Sequence, residues 1–271
     1  MIKINGVVIK QQQFPDGTWL LNNIRSTFEE FKFSIEIDWR YEGEHEISFL
    51  YFIAKHLKNV YTMTPVTLKC YYFPNARMDR TYNRFEIFTL KYFCELINSL
   101  NFSQVILMDV HSNVTNALLN NVVERPLIEL NDLIINYRNI YFPDEGAQKR
   151  YSKVLDLSNK YVYTGMKKRN WATGKIEGLD VFSSQDSPNK DSILMIDDIC
   201  SRGGTFFHSA KKLKSLGFDN IDAYCTHAEP VVNDETSDIH VALNGKLINK
   251  LYTTDSLLQN TENKNIIIYH V

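Results

Sequence analysis

Ser192-Ile-Leu-Met-Ile-Asp-Asp-Ile-Cys-Ser-Arg-Gly-Gly-Thr-Phe206 is the stretch that decides the fold class of this chain. Its apolar run, Ile193 to Ile196, is unbroken, which is typical of a parallel strand buried on both faces. Asp197 and Asp198 stand where that strand is expected to end, and a glycine pair precedes a helix-like segment. A strand, a glycine-rich loop and a helix in this order predict an open α/β sheet.

The same stretch predicts a binding site. Ligands of open α/β sheets bind outside the carboxyl ends of the strands. The loop from Ser201 to Thr205 supplies hydroxyl groups, two glycines and backbone N–H groups, a combination that binds anions. Two carboxylates beside such a loop indicate a ligand with hydroxyls and a phosphate, such as a ribose phosphate. The competing interpretation is an ordinary strand, turn and helix, and the order of the features favours the site.

Length and composition exclude several classes of protein. The chain has 271 residues, enough for two modest domains, and its 44% hydrophobic and 23% charged residues are typical of a soluble globular protein. A formal charge of −2 argues against a nucleic-acid partner. The four cysteines lack metal-type spacing, which predicts buried free thiols in a reducing compartment. The sequence shows neither a signal peptide nor a membrane-spanning run, so we expect a cytoplasmic protein without a membrane partner.

Hydrophobic periodicity predicts further elements along the chain. We expect a strand on each side of the turn at residues 14–18, helices over 46–57, 87–100 and 206–216, and strands over 66–73, 105–108, 134–141, 161–164, 221–226 and 266–269. The polar segment 174–190 predicts a loop. The runs 105–108 and 193–196 are both apolar and both precede an aspartate, which fits two similar α/β halves with a boundary near residue 143.

Charged residues follow five of these apolar runs. A lone histidine such as His111 is more often structural than a ligand, and a run such as Lys167–Arg169 is usually a solvated face. The coincidence of five clusters at presumed strand ends nevertheless favours one site. The clusters are Ala76-Arg-Met-Asp-Arg80, Asp109-Val-His111, Pro143-Asp-Glu-Gly146 with Lys149-Arg150, Lys167-Lys-Arg169 and Asp197-Asp198.

In this order the segments resemble the ribose-phosphate diphosphokinases (phosphoribosyl-diphosphate synthetases), over most of the chain from Phe14 to Ser256. The resemblance implies an α/β fold of two similar phosphoribosyltransferase-type domains, each a mainly parallel sheet flanked by helices. The N-terminal domain, residues 1–143, would bind ATP. The C-terminal domain, residues 144–271, would bind the ribose phosphate.

The resemblance also implies roles for individual residues. The implied catalytic residues, on a flexible loop, are Lys167 and Arg169. The implied ATP-binding residues are Phe14, Asp16, Thr18, Arg77, Asp79, Arg80 and His111. The implied ligands of a Mg²⁺ cofactor are His111, Asp144 and Asp109. The implied sugar-phosphate-binding residues are Asp197, Asp198, Ser201, Arg202, Gly203, Gly204 and Thr205.

The implied reaction is Mg²⁺-dependent transfer of a diphosphoryl group from ATP to the 1-hydroxyl of ribose 5-phosphate, with release of AMP. Such chemistry needs positioning and charge neutralisation more than covalent catalysis. The implied partners are ATP, a 5-phosphorylated ribose and further copies of the chain, as a dimer or hexamer. A phosphoribosyltransferase and an inactive regulatory homologue are the alternative interpretations.

One departure from the family pattern raises a second acceptor. The phosphate loop of the family reads Asp-Thr-Gly-Gly-Thr, and here Ser201 and Arg202 replace its first two residues. The change makes the loop more positive, and an arginine fork suits phosphate oxygens. Arg202 either strengthens the grip on ribose 5-phosphate, points to solvent or contacts a second phosphate. In the second case the acceptor would be larger, such as ADP-ribose, and its product would serve NAD salvage.

Overall fold

The computed structural model describes residues 1–22, 33–169, 176–183 and 185–271, without the side chains of 167–169 and 176–177. The chain divides into two compact units, Met1–Arg125 and Pro126–Val271. We call them the N-terminal unit and the C-terminal unit. Each contains a mainly parallel sheet with helices, as the sequence predicted.

Within the described residues, the main sheet of the N-terminal unit has the order β2-β1-β5-β6-β7-β8. Strands β5 to β8 are parallel, and β1 is antiparallel to both β2 and β5. A separate antiparallel hairpin, β3–β4, flanks the turn at residues 14–18. The elements are β1 (Ile2–Ile4), β2 (Val7–Val8), β3 (Lys10–Gln13), β4 (Trp19–Asn22), β5 (Ile35–Trp39), α1 (His45–Val60), β6 (Val66–Cys70), α2 (Thr89–Ser99), β7 (Gln104–Leu107), α3 (Asn113–Leu118) and β8 (Val122–Glu124).

The core of the N-terminal unit lies between the sheet and its helices. Helix α1 buries Phe49, Leu50, Ile53 and Leu57, the three- and four-residue spacing of one helix face. Strands β5 and β6 bury alternate residues, as strands with one face on a core do. Each fully buried side chain of this size contributes about 1.5–3 kcal/mol relative to exposure.

In the described part of the C-terminal unit the sheet has the order β11-β10-β9-β12-β13-β14-β15. All neighbouring strands are parallel except the hairpin β10–β11. A 3-10 turn lies at Pro230–Asn233. The other elements are α4 (Ile128–Ile134), β9 (Asn139–Phe142), α5 (Glu145–Tyr151), β10 (Tyr161–Arg169), β11 (Ile176–Ser183), β12 (Ser192–Cys200), α6 (Gly204–Ser215), β13 (Asn220–Ala228), α7 (Asp238–Asn244), β14 (Leu251–Thr254) and β15 (Ile266–Tyr269).

The stretch that decided the fold class folds as predicted. Ile193, Leu194, Met195 and Ile196 are fully buried in β12, between β9 and β13. Helix α6 follows and ends at Gly217, whose φ of 93° is the left-handed conformation typical of a residue after a helix. The four cysteines are buried and free, as the prediction of buried thiols required. No helix among the described residues is long and apolar enough to span a membrane.

Three sequence-based boundaries differ from the structure. Ile134 ends helix α4, which buries Leu130, Leu133 and Ile134 on one face, so the predicted strand starts only at Asn139. The strand β9 before the predicted boundary at 143 hydrogen-bonds to β10 and β12 and belongs to the second sheet. The predicted loop 174–190 contains β11, which pairs with a β10 that runs on to Arg169. In the polar segment, pairing with β10 overrides local polarity.

Candidate functional site

Asp197 and Asp198 lie in the last residues of β12, which continues to Cys200 rather than ending at the acids. Asp198 is only 3% exposed, and its backbone N–H donates to Oδ1 of Asp197 at 3.0 Å. Nη1 of Arg150, on α5, lies 2.9 Å from Oδ2 of Asp198. The ion pair compensates part of the cost of burying this carboxylate.

The carboxyl group of Asp197 precedes that of Asp198 in the same strand. Burial raises its pKa well above the usual range, and the charges of Asp198 and Asp144 raise it further. Asp144 follows β9, the strand next to β12, so these carboxylates share the carboxyl edge of the sheet. Such an edge favours a ligand that donates hydrogen bonds or brings a cation.

The loop after β12 has the geometry of an anion cradle. Gly203 has a φ of 84°, and helix α6 begins at Gly204. A Cβ at Gly203 would lie 2.8 Å from the backbone nitrogen of Ile239 and overlap the Ile239 side chain. The N–H of Ile239 donates to the carbonyl of Arg202 at 2.9 Å. The start of α7 therefore supports the loop from behind, which allows no side chain at position 203.

The side chain of Arg202 contacts the segment before α7. Its Nη1 lies 3.2 Å from Oδ2 of Asp234, and its Nη2 donates to Oγ1 of Thr236 at 2.8 Å. Both partners lie on the surface, and the guanidinium is about half exposed. This arrangement gives Arg202 a role in fixing the loop. Its assignment to a phosphate stays a prediction.

Asp144 begins helix α5 as its N-cap. Its Oδ1 accepts a hydrogen bond from the N–H of Ala147 at 3.0 Å. The capping residue is thus a carboxylate placed directly after a buried strand. Among the described residues no group of three ligating side chains is close enough to hold a metal ion by itself. Mg²⁺ keeps several waters and needs few protein ligands, so the carboxylates at this edge fit such an ion.

Lys167 and Arg169 lie on β10, where their backbones pair with Leu179 and Ile176 of β11. Their side chains are outside the described part of the structure. The sequence placed them on a flexible loop. The structure shows that at least their backbone belongs to a hairpin that begins at the sheet edge shared with Asp144 and Asp197.

In the N-terminal unit the arginine loop and the Asp-Val-His segment meet. Asp79 accepts two hydrogen bonds from Arg80, at 2.8 and 3.1 Å. These bonds, a hydrogen bond from Ser112 and the charge of His111 lower the pKa of Asp79. Asp109, only 8% exposed, has a φ of 43°, which strains a residue with a side chain. Strain of this kind is typical of functional sites, and it marks the end of β7.

The turn at residues 14–18 is tight and presents an aromatic ring. Gly17 has a φ of 85°, and Thr18 donates to Oδ1 of Asp16 through both its N–H and its hydroxyl, at 2.9 and 2.7 Å. Phe14 is 43% exposed at the start of the turn. Trp19 stacks on His45 of α1, with ring centroids 5.7 Å apart, and so attaches the hairpin to the unit.

Sequence reasoning missed several residues that support the site. Ile239 fixes the space behind Gly203, Asp234 holds Arg202, and Arg150 pairs with Asp198. Arg150 was part of a noted motif, but nothing in the motif indicated its partner. Ile239 and Asp234 carried no signal, because an apolar residue and an exposed aspartate are common on any surface.

The geometry defines a class first: an α/β protein of two phosphoribosyltransferase-type units, with acids and an anion loop at the carboxyl edge of the second sheet. The fold is that of the phosphoribosylpyrophosphate synthetase from Mycobacterium smegmatis, with a TM-score of 0.74 at 14% identity over 97% of this chain and 86% of that one. No family model matches the sequence.

Two curated relatives carry the name ribose-phosphate pyrophosphokinase. The protein from Marinomonas sp. is 28% identical over 205 residues, 72% of this chain. The one from Methanobrevibacter smithii is 26% identical over 267 residues, 92% of this chain and 85% of the relative. The chain spans only 61% of the length of the Marinomonas relative. The sequence is therefore similar to ribose-phosphate pyrophosphokinases, and the fold is that of a phosphoribosylpyrophosphate synthetase.

Proposed function

We propose that this protein transfers a diphosphoryl group from ATP to the 1-hydroxyl of ribose 5-phosphate, giving phosphoribosyl diphosphate and AMP. The observation that carries the proposal is the C-terminal edge of β12. There two carboxylates precede a loop whose Gly203 packs against Ile239 at the start of α7. The names of the relatives support the same reaction.

In this proposal the carboxylates orient the sugar. Asp197 and Asp198 accept hydrogen bonds from the ribose 2- and 3-hydroxyls, and Ser201–Thr205 binds the 5-phosphate. The sugar then presents its 1-oxygen to the β-phosphorus of ATP. A bond forms between that oxygen and the β-phosphorus, and the bond from the β-phosphorus to the oxygen of the α-phosphate breaks. AMP leaves with the bonding electrons, and the hydroxyl proton is released to water.

The remaining predicted residues would neutralise charge. Lys167 and Arg169 would contact the phosphoryl group during transfer, where charge stabilisation is worth most. Asp144, Asp109 and His111 would hold Mg²⁺. The neighbouring carboxylates Asp197 and Asp198 support the binding of a divalent cation at Asp144. When bound, Mg²⁺ would neutralise the phosphate oxygens of ATP.

ATP recognition is proposed for the N-terminal unit. Arg77, Asp79 and Arg80 lie on one loop, and Asp79 links it to the segment of His111 through Ser112. Phe14 presents an exposed ring that suits stacking on adenine. In the family resemblance this ring acts across a subunit interface, so we propose a homo-oligomer.

The alternative reactions receive less support. The larger acceptor, ADP-ribose, depended on a free fork at Arg202, and that fork binds Asp234 and Thr236 here. A phosphoribosyltransferase would need neither the N-terminal unit nor its arginine loop. An inactive regulator would need no strained Asp109 and no paired acids at β12.

The deciding experiment supplies the purified full chain with ATP and Mg²⁺ and measures AMP. We expect AMP release to require ribose 5-phosphate, with phosphoribosyl diphosphate formed in equal amount. ADP-ribose in place of ribose 5-phosphate tests the larger acceptor. Release with neither sugar, or with ADP-ribose alone, would contradict the proposal, and Asp198→Asn is the inactive control.

A further inference from the structure

Tyr141 lies at the centre of the C-terminal sheet and joins elements that carry the proposed site. It is fully buried on β9, between β10 and β12. Its hydroxyl shares a buried hydrogen bond of 2.9 Å with Oγ of Ser209 on α6, the helix that follows the phosphate loop. Burial raises the pKa of Tyr141 to about 12, with smaller contributions from the charges of Asp144 and Asp197, so the hydroxyl keeps its proton.

Gly165 of β10 lies directly against that hydroxyl. A Cβ at this position would overlap the Tyr141 hydroxyl and lie 2.7 Å from the carbonyl oxygen of Pro143. The φ of Gly165 is not in the left-handed region, so the need for glycine here is steric rather than conformational. Strand β10 therefore passes the Tyr141 phenol and the Pro143 carbonyl at a distance that no side chain permits.

The contact falls where β10 leaves the sheet. β10 pairs with β9 from Tyr161 to Thr164, and in the described structure its pairing beyond Thr164 is with β11 alone. Gly165 is therefore the first residue of β10 that pairs with β11 and no longer with β9. Lys167 and Arg169 follow it by two and four positions in the same strand. A small tilt at Gly165 changes the position of both.

We propose that Tyr141 and Gly165 form a joint that sets the direction in which the β10–β11 hairpin leaves the sheet. They are positioning residues for Lys167 and Arg169, and this role rests on the proposed function. The Tyr141 side chain sets how close strand β10 can come to β9. Gly165, which has no side chain, lets β10 reach that distance. The hydrogen bond to Ser209 holds the ring against the helix of the phosphate loop.

The first test measures geometry and needs no activity. The native cysteines are buried, so nitroxide labels on a Met166→Cys/His208→Cys variant report the distance from the hairpin to α6, at two exposed positions. Adding Gly165→Ala should change the mean label distance by about 2 Å or more, because overpacking forces backbone shifts. Gly217→Ala, a glycine substitution of the same unit with only Lys190 Cδ nearby at 3.8 Å, should leave the distance unchanged.

The second test measures turnover. Gly165→Ala should lower kcat for AMP release about tenfold or more, because misplaced catalytic groups lose their alignment. The KM for ribose 5-phosphate should stay within about twofold, since the joint contacts α6 at Ser209, beyond the loop Ser201–Thr205. The double variant Tyr141→Phe/Gly165→Ala lacks the hydroxyl that clashes first. It should have a label distance and a kcat closer to those of the wild type than Gly165→Ala has. If Gly165→Ala does not fold, the double variant is used in both tests.

An unchanged label distance in the folded variants would overturn the proposal, and so would a normal kcat for Gly165→Ala. A Gly217→Ala variant that moves the label distance equally would also overturn it, because the shift would then follow from destabilisation. A wild-type protein that releases no AMP would instead refute the proposed reaction, while the label distances would still test the joint.

Discussion

The guanidinium of Arg150 lies 2.9 Å from Oδ2 of Asp198 and joins helix α5 to the end of β12. The carboxylate is almost fully buried, whereas the arginine is 23% exposed. The pair therefore connects a residue of the proposed sugar site with the helix that Asp144 caps.

Arg150→Met should destabilise the protein by about 1–3 kcal/mol, because Asp198 loses its buried ion pair while the arginine stem is kept. Urea unfolding of the full chain measures this change. Arg202→Met is the matched control: its pair with Asp234 is about half exposed on both sides, and the cost should stay below about 1 kcal/mol. If both variants lower the free energy of unfolding by the same amount, the prediction that the buried pair matters more than the exposed pair is wrong.

Gly203→Ala should cost about 2 kcal/mol or more of stability and should abolish ribose 5-phosphate binding. The left-handed φ penalises alanine, and its Cβ would overlap Ile239. Gly217→Ala has a similar φ with open space around it, so only the conformational cost of about 1 kcal/mol is expected. Calorimetric titration with ribose 5-phosphate and thermal unfolding measure the two effects. Normal binding by Gly203→Ala would rule out the cradle.

Asp197→Asn should raise stability at neutral pH. The folded-state pKa of Asp197 is raised by burial and by Asp198, so the folded protein keeps this proton to higher pH than the unfolded chain does. Wild-type stability therefore falls as pH rises from the ordinary carboxyl range through the folded-state pKa. Asp197→Asn has no carboxyl group to ionise at this position, so its free energy of unfolding does not fall in this way. We expect a gain of about 1 kcal/mol, or about 2–4 °C in Tm, at pH 7.5, and none at pH 4.

The control for that prediction is Asp186→Asn. Hydrogen bonds from Tyr163 and Lys190 lower the pKa of Asp186, which is the opposite shift. Its contribution to stability is present above the ordinary carboxyl pKa and is lost as pH falls, so the variant should lower Tm at pH 7.5. Melting curves that move in the same direction for both variants would refute the electrostatic account.

Lys167→Ala and Arg169→Ala should each lower kcat by an amount that corresponds to about 3 kcal/mol or more of lost transition-state stabilisation. The Tm of each variant should stay nearly unchanged. Lys168→Ala is the matched control, because it removes one positive charge from the same strand between the two predicted catalytic residues. Steady-state AMP release measures all three variants. If Lys168→Ala were as impaired as its neighbours, general charge rather than a specific pair would explain the loss.

Asp144→Asn should raise the Mg²⁺ requirement about tenfold or more without unfolding α5. Asparagine keeps the side-chain oxygen that caps Ala147 N–H but removes the charge. Asp144→Ala removes both and should also cost about 1 kcal/mol of stability. Mg²⁺ titration of AMP release, with excess chelator as the zero point, gives the requirement. Full activity in chelator would exclude the metal.

The sequence by itself determined the features that depend on neighbours along the chain. The unbroken run from Ile193 to Ile196 predicted a strand buried on both faces, and the spacing of apolar residues from 46 to 57 predicted helix α1. The turn from Phe14 to Thr18 followed from Pro, Asp and Gly. Periodicity and turn chemistry are local, so one segment is enough to indicate them.

Only the tertiary structure decided which distant residues support the site. Polarity predicted a loop at 174–190, but pairing with β10 makes Ile176–Ser183 strand β11. The partner of Arg150, the role of Ile239 behind Gly203 and the contact of Tyr141 with Gly165 each join segments that are far apart in sequence. Contacts of this kind depend on how strands align and helices pack, and many sequences with the same local pattern would place different side chains there.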